Sequence, residues 1–224
     1  MKSIKEKIQK RIERLEAGHA FSARDFLRDF RRYEVDVALS SLVKEGFIRR
    51  IIPGIYERPR INTLLGTQAA PDLYSVAKAL ARKFSWRIHP SGNTALNLLG
   101  LSTQIPGRMI FHSDGPSRKY AIGNRDIEFR HTSLNELVFR LPESTLVVQA
   151  LKALGKEHIG KEAIEILRGK YSTDLWSRIA ADTCNASGWI HEAIRTISTQ
   201  EGEPCVKSRF LAKTRGEMRP GDSR

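Results

Sequence analysis

The segment FSARDFLRDFRRYEVDVALSSLVKEGFIRRIIPGIYERPR, residues 21–60, decides the fold. It begins with a capping-box pattern, because Ser22 precedes Asp25 by three residues and can accept from the first free amides of a helix. Phe21 and Phe26 flank this pattern as a hydrophobic staple does. A short helix is therefore predicted, and it carries Phe26, Leu27 and Phe30.

A second helix is predicted from a one-sided apolar stripe. Val35, Leu39, Leu42 and Val43 recur at offsets of four, seven and eight residues, which places them on one helical face. Gly46 then ends the helix, because glycine adopts the left-handed C′ conformation without a steric penalty.

A two-stranded hairpin, the wing, is predicted after the second helix. Residues 47–52 and 55–56 have strand character, and Pro53-Gly54 forms a tight turn between them. Four arginines lie around this turn: Arg49, Arg50, Arg58 and Arg60. Helix, turn, helix and hairpin in this order predict a winged helix-turn-helix, whose wing would follow phosphates or enter the minor groove.

The turn, the second helix and the wing together form the predicted DNA-contact surface. Serines on the exposed side of the helix can donate to bases or phosphates, whereas Glu34 and Asp36 near its start oppose phosphate. We expect the following residues to contact DNA: Arg31, Arg32, Tyr33, Ser40, Ser41, Lys44, Arg49, Arg50, Arg58 and Arg60. The alternative is a protein-docking module, because small helical units with a hairpin also bind proteins.

The charge balance favours a polyanionic partner. The 224 residues include 38 lysines and arginines against 25 aspartates and glutamates, which gives a net charge of +13. Such a charge attracts nucleic acid or an anionic membrane face. No run of about 18 apolar residues is present, so we expect no membrane span.

The N-terminus and the cysteines predict a cytoplasmic protein. Residues 1–6 lack the apolar centre of a signal peptide. Cys184 and Cys205 are too few and too isolated for a disulfide framework or a zinc site. We expect no metal and no cofactor.

The chain as a whole is predicted to be α+β, with a winged helix-turn-helix over residues 1–62 and a mixed domain over 71–199. The first helix should span Ser3 to Ala17. Residues 61–70 show no hydrophobic periodicity and should form the domain junction. Residues 200–224 are polar and basic, which predicts a flexible tail.

Within the mixed domain, a helix at 72–84, a short strand at 86–89 and a helix at 94–99 come first. Three strands follow and are predicted to form an antiparallel meander: 108–112, 119–122 and 127–131. Apolar periodicity then predicts five helices: 134–139, 143–154, 161–167, 171–183 and 188–197.

The meander carries a basic surface of its own. It consists of five residues: Arg108, Arg118, Lys119, Arg125 and Arg130. This surface either maintains solubility or makes a second contact with nucleic acid, and the sequence leaves both readings open.

No catalytic site is predicted. Asp126 and Glu128 alternate on one strand and could hold Mg²⁺, but the Gly-Ser phosphate loop that nucleotidyltransferases place shortly upstream is missing. The three histidines around the meander, His89, His112 and His131, lack the spacing of metal ligands. We therefore expect a protein that is not an enzyme.

Two stretches resemble the AbiEi-like antitoxins of type IV toxin-antitoxin (abortive infection) systems. The first is LSSLVKEGFIRRIIPGIY, residues 39–56, which ends the winged helix. The second is SGNTALNLLGL, residues 91–101, followed at a short interval by the predicted meander. The order and distance of the two stretches carry the likeness, which covers roughly Ser3 to Leu137.

The resemblance implies a cytoplasmic bacterial protein with an N-terminal DNA-binding winged helix and a C-terminal antitoxin domain. It implies a transcriptional repressor that binds inverted repeats in double-stranded DNA of its own promoter. It also implies a functional partner, a nucleotidyltransferase-like toxin that the antitoxin opposes, with direct binding between the two left open. The alternative is a winged-helix transcriptional regulator or a protein-interaction adaptor without an antitoxin role.

Overall fold

The computed structural model describes residues 3–63, 65–104, 106–132 and 139–199, and over these residues the fold is α+β, as predicted. The α-helices are α1 (Ile4–Glu13), α2 (Arg32–Lys44), α3 (Leu73–Phe84), α4 (Gly92–Leu99), α5 (Pro142–Leu154), α6 (Lys161–Arg168), α7 (Thr173–Asp182) and α8 (Gly188–Ser198). The strands are β1 (Ala20–Phe21), β2 (Arg49–Ile52), β3 (Ile55–Glu57), β4 (Ile61–Asn62), β5 (Thr67–Gln68), β6 (Ile88–Pro90), β7 (Arg108–Ser113), β8 (Arg118–Ile122) and β9 (Arg125–His131).

The N-terminal elements form a winged helix-turn-helix, as predicted. The wing strands β2 and β3 pair antiparallel, and β1 adds to β3 in the sheet order β1-β3-β2. The capping box is present, because the Ser22 amide donates to Asp25 Oδ2 at 2.8 Å. The helix it opens is a short 3-10 helix, Ala23–Phe26, rather than one that continues through Phe30. The first helix likewise ends at Glu13, short of Ala17.

The predicted stripe of α2 faces the core. Val35, Leu39 and Leu42 are buried, and Gly46 adopts a φ of +72° just after the helix, as expected for a left-handed C′ glycine. The wing turn is also as predicted, with Gly54 at a φ of +78°.

The expected irregular junction is partly ordered. β4 and β5 pair antiparallel as a small hairpin, and the Gly66 amide donates to the Asn62 carbonyl at 2.8 Å. No hydrophobic periodicity is visible over residues 61–70, because each strand is only two residues long.

The predicted antiparallel meander is wrong. The second sheet has four strands in the order β6-β7-β9-β8, and β7 pairs with β9 in parallel. Only the Gly123-Asn124 turn makes a hairpin, between β8 and β9. The segment 114–117 instead passes from β7 to the far side of β9.

Burial explains this strand order. β7 buries Met109 and Phe111, and β9 buries Ile127 and Phe129, so each is covered best with a neighbour on both sides. β8 is exposed along most of its length, with only Ile122 buried, and an edge position suits it.

The helices of the C-terminal region agree with the prediction wherever they are described. α5 to α8 begin and end within a few residues of the expected bounds. The predicted helix at 134–139 falls almost wholly on residues 133–138, and the predicted tail on 200–224, both outside the described residues.

The buried apolar residues form three clusters. One lies within the winged helix, around Phe26 and Leu39, and one within the C-terminal helices, around Trp176. The third joins Ala20 and Ile55 of the winged helix to α3 and the four-stranded sheet. The winged helix is therefore packed directly against the following domain.

None of the helices in the described residues combines the length and apolar character that crossing a bilayer requires.

Gly115 provides a test of the connection between β7 and β8. A Cβ atom at Gly115 would lie 2.4 Å from the Trp86 ring, whereas one at Gly107 would meet no atom within 4 Å. We expect Gly115→Ala to lower the free energy of unfolding by about 1–3 kcal/mol, because the indole must move. Urea denaturation measures this change. Gly107→Ala is the control and should leave stability nearly unchanged; equal effects of the two substitutions would contradict the packing.

Candidate nucleic-acid interface

One face of α2 points away from the core and is open to solvent. Tyr33, Val37, Ser40 and Lys44 follow one another at helical spacing on this face, and all are exposed. Tyr33 is 78% exposed and Val37 is 51% exposed, so two large side chains lie together on the open face of the helix. Helix α2 takes the place in the motif that the recognition helix takes in DNA-binding helix-turn-helix proteins, where residues on this face contact base edges.

Val37 was not among the residues predicted from the sequence. It lies one turn after Tyr33 and opposite the buried stripe, so a helical projection of α2 identifies it. An apolar side chain at this position suits contact with a thymine methyl group in the major groove.

The two carboxylates at the start of α2, Glu34 and Asp36, each bond to a residue of the same turn of chain. Glu34 Oε2 accepts from the Arg31 amide at 3.0 Å and thereby caps the helix. Asp36 pairs with Arg32 at 2.8 Å, four residues away on the exposed face. The expected repulsion between these carboxylates and phosphate is therefore reduced.

The structure changes the assignment of Arg49, which the sequence placed on phosphate. Its guanidinium donates to the Glu57 carboxylate, to Gln68 Oε1 at 3.2 Å and to the Ala69 carbonyl. The Glu57 side chain is only 1% exposed, and burial raises its pKa while the hydrogen bond from Arg49 opposes that rise. Arg49 therefore neutralises a buried acid.

Arg58 and Ser41, predicted to contact DNA, also make contacts within the protein, and Arg60 lies away from the wing turn. Arg58 Nη2 donates to the Leu15 carbonyl at 3.0 Å, and its Nε is buried. Arg60 lies against Gly18, at the end of the wing strands remote from the turn. The Ser41 hydroxyl donates to Glu45 at 2.8 Å and is half-buried.

The remaining predicted cations stay together on the exposed side of the motif. Arg31 and Arg32 begin α2, Lys44 ends it, and Arg50 lies on the wing strand β2. All four side chains are exposed, and among the described residues only Arg32 forms an ion pair. Together with the exposed face of α2, they form what we call the recognition surface.

The tip of the wing contacts the next domain through Lys83, a residue not singled out from the sequence. Lys83 Nζ donates to the Pro53 carbonyl at 3.0 Å and lies close to Gly54. Burial lowers the pKa of Lys83, and the positive charges of Arg32 and Arg50 lower it further. The wing is therefore held against α3 at its tip by a cation.

The second basic surface divides between the two faces of the four-stranded sheet. Arg108 and Arg130 pair with Glu128, and Lys119 pairs with Asp126, on the face away from α3. The other two have different surroundings: Arg118 lies over Phe84 and Trp86, and Arg125 donates to the Pro71 carbonyl at 3.2 Å. The structure therefore does not bring these five residues together as one patch.

The carboxylates considered for catalysis are engaged in ion pairs. Hydrogen bonding from Arg130 is the main cause that lowers the pKa of Glu128. His89 and His112 are cross-strand partners, while His131 lies near the Gly115 carbonyl with its Nδ1 at 3.0 Å. Over residues 3–63, 65–104, 106–132 and 139–199, no group of three or more His, Cys, Asp or Glu side chains could hold a metal ion.

The stretch 91–101 has a structural role in this protein. Thr94 Oγ1 accepts from the Ile110 amide at 3.0 Å, which ties α4 to β7. A Cβ at Gly92 would lie 2.6 Å from the Cβ of Ala153, so glycine allows α4 and α5 to approach closely. The stretch thus joins the sheet to the C-terminal helices.

These elements define a winged helix-turn-helix protein whose recognition helix is open to solvent. The chain belongs to the family of unknown function DUF6088, which matches residues 7–173. A comparison with curated proteins finds no match.

Neighbouring arginines separate a structural role from a surface role. Arg49→Ala should lower the free energy of unfolding by about 3–5 kcal/mol, because it leaves the buried Glu57 carboxylate without its partner. Arg50→Ala should change it by no more than about 0.5 kcal/mol, because Arg50 is exposed and forms no ion pair with any residue that the structure describes. Chemical denaturation compares the two variants, and equal stabilities would contradict the role given to Arg49.

Proposed function

We propose that this protein is a DNA-binding antitoxin that represses its own operon and counteracts a nucleotidyltransferase-like toxin. The observation that carries the DNA-binding part is the exposed face of α2, where Tyr33 and Val37 remain outside every hydrophobic cluster of the described residues. Exposed apolar side chains that lie together and are rimmed by polar residues mark interaction sites on protein surfaces. The surrounding cations favour a polyanionic partner.

Different residues of the recognition surface would contact the bases and the phosphates. Val37, Ser40 and Tyr33 would contact base edges in the major groove of double-stranded DNA. The exposed cations at the ends of α2 and on β2 would contact phosphates on either side. The expected target is the inverted repeats of its own promoter, in the cytoplasm.

The antitoxin part of the proposal rests on the resemblance carried by residues 39–56 and 91–101. It assigns the protein a role in opposing a toxin without assigning it catalysis. Direct contact between the two proteins is not required by the proposal.

A protein-interaction adaptor without an antitoxin role is the second candidate. The same exposed Tyr33 and Val37 favour it, because aromatic and aliphatic side chains also anchor protein interfaces. Binding to DNA decides between the two candidates, since an adaptor would show little preference for its own upstream sequence.

Substitutions on α2 and β2 should affect DNA binding in different ways. Val37→Asp should abolish the preference for the upstream duplex over random DNA, because a carboxylate replaces an apolar contact in the groove. Arg50→Ala should weaken binding to both DNAs alike and reduce the slope of log affinity against log salt by about 0.9. Fluorescence anisotropy with labelled duplexes measures both effects.

The control for these measurements is Lys161→Ala, at the exposed start of α6, which should bind DNA as the unchanged protein does. Four phosphate contacts predict that the slope of log affinity against log salt has a magnitude of at least about 3.6 for the unchanged protein. A flat salt response, or equal affinity for upstream and random duplexes, would contradict specific DNA binding.

Co-expression tests the antitoxin role separately. The reading frame next to this gene, expressed alone, should arrest growth if it encodes the toxin, and co-expression of this protein should restore growth. Val37→Asp should retain protection, because the proposal places protection in the second domain and operator binding on α2. Failure of the unchanged protein to protect would contradict the antitoxin role.

A further inference from the structure

A strip of alternating cations and aromatic rings runs from the wing tip into the second domain. Lys83 Nζ lies 5.1 Å from the centroid of the Phe84 ring, and Arg118 Cζ lies 5.3 Å from the same centroid. Phe84 stacks on Trp86 at 4.7 Å, and Arg118 also lies 5.6 Å from the Trp86 ring. We call these four residues the α3–β8 strip.

The α3–β8 strip continues the recognition surface. Its first residue, Lys83, holds the Pro53 carbonyl at the wing tip. Arg32 and Arg50 are close enough for their charges to lower the pKa of Lys83, after the larger effect of burial. Lys83 therefore lies between the cations of α2 and β2 and the Phe84 ring, over which Arg118 of β8 also lies.

The cations of the strip are available to an anion. Neither Lys83 nor Arg118 forms an ion pair with a carboxylate in the part of the chain that the structure describes. Lys83 uses one of its donors on Pro53, which leaves the others free, and the Arg118 side chain is exposed. Both cations therefore have donors with which a phosphate could bond.

The aromatic rings hold these charges and are not free to stack on bases. Phe84 is covered by Trp86 and by the two cations, and Trp86 also contacts Phe129 edge-on at 5.5 Å and Gly115. Single-stranded nucleic acid needs open ring faces on which bases can stack. The strip therefore suits a phosphate backbone rather than unpaired bases.

We infer that Lys83 and Arg118 contact the phosphates of the operator duplex beyond the winged helix, so that the second domain lengthens the DNA footprint. The inference rests on the proposed DNA binding of α2. Of the five cations in the predicted second surface, only Arg118 is assigned a contact with nucleic acid. Phosphate contacts of this kind add affinity and fix orientation without adding sequence preference.

Lys119 supplies a matched control. It follows Arg118 directly, but its side chain points to the opposite face of the sheet, where it pairs with Asp126 at 2.9 Å. Both residues are exposed cations on the edge strand β8, so their substitutions change the net charge of the protein equally.

The test is fluorescence anisotropy with a labelled upstream duplex over a range of salt concentrations. Lys83→Gln and Arg118→Gln should each reduce the magnitude of the salt slope by about 0.9, and Lys119→Gln should leave it unchanged. Arg118→Lys should keep most of the salt slope of the unchanged protein, because lysine keeps the positive charge. Thermal unfolding of each variant identifies any loss of folding, and the slopes are compared among folded variants.

The duplex length gives a second readout. Shortening the duplex on the side next to the wing should weaken binding of the unchanged protein and remove the difference between it and Arg118→Gln. If the unchanged protein binds and both glutamine variants behave as Lys119→Gln does, the inference is wrong while the proposed function stands. If the unchanged protein does not bind the duplex at any salt concentration, the proposed function itself fails.

Discussion

Asp25 connects the winged helix to the rest of the chain, and the other features of the surface depend on this connection. One oxygen of its carboxylate accepts from the Ser22 amide at 2.8 Å, and this hydrogen bond caps the start of the 3-10 helix. The other accepts from Arg82 Nε of α3 at 2.9 Å, while Arg82 Nη2 donates to the Ala20 carbonyl at 2.8 Å. The residue that caps the helix thus also docks the motif onto α3.

This docking fixes where the wing lies. The Ala20 amide donates to Ser75 Oγ at 2.8 Å, and Ala20 and Ile55 are buried against α3, so β1 and the wing are held along one side of that helix. The wing tip then falls beside Lys83, at the C-terminal end of α3. A surface that is already assembled before binding loses less conformational entropy when a ligand is bound.

The wing of this protein accordingly differs from a hairpin that extends freely into solvent. Its turn is only two residues long, its tip is bonded to Lys83, and one of its four nearby arginines is committed to the buried Glu57. The helix face around Val37 is the part that remains fully open. Sequence discrimination is therefore expected to come from α2, and the wing and α3 would contribute charge.

Local signals in the sequence were sufficient for most elements of the fold. The capping pair Ser22 and Asp25 and the glycines at 46, 54 and 100 place boundaries where the structure has them, because caps and tight turns depend on a few adjacent residues. The strand order of the four-stranded sheet was not predictable in this way. The parallel pairing of β7 with β9 depends on which strands need burial on both sides, and the turn-forming residues between β7 and β8 favoured a hairpin.

In the candidate site, too, the features that depend on neighbouring residues were predictable from the sequence, and those that depend on distant residues were not. The exposed face of α2 follows from helical periodicity, and Val37 could have been identified from it. The different roles of Arg49 and Arg50 could not, because the pairing of Arg49 with Glu57 depends on the register of the wing. Lys83 and Arg118 become neighbours of the recognition surface only through the docking of α3, which joins residues far apart in the sequence.

Site-specific photocrosslinking tests the central claim most directly. A photoreactive amino acid at position 37, on the exposed face of α2, should crosslink to the protein's own upstream duplex, and one at position 119, on the far face of the sheet, should not. Crosslinks at 37 that are competed by unlabelled upstream duplex are the predicted result. Absence of any DNA adduct at 37, or equal adducts at 37 and 119, would contradict the account.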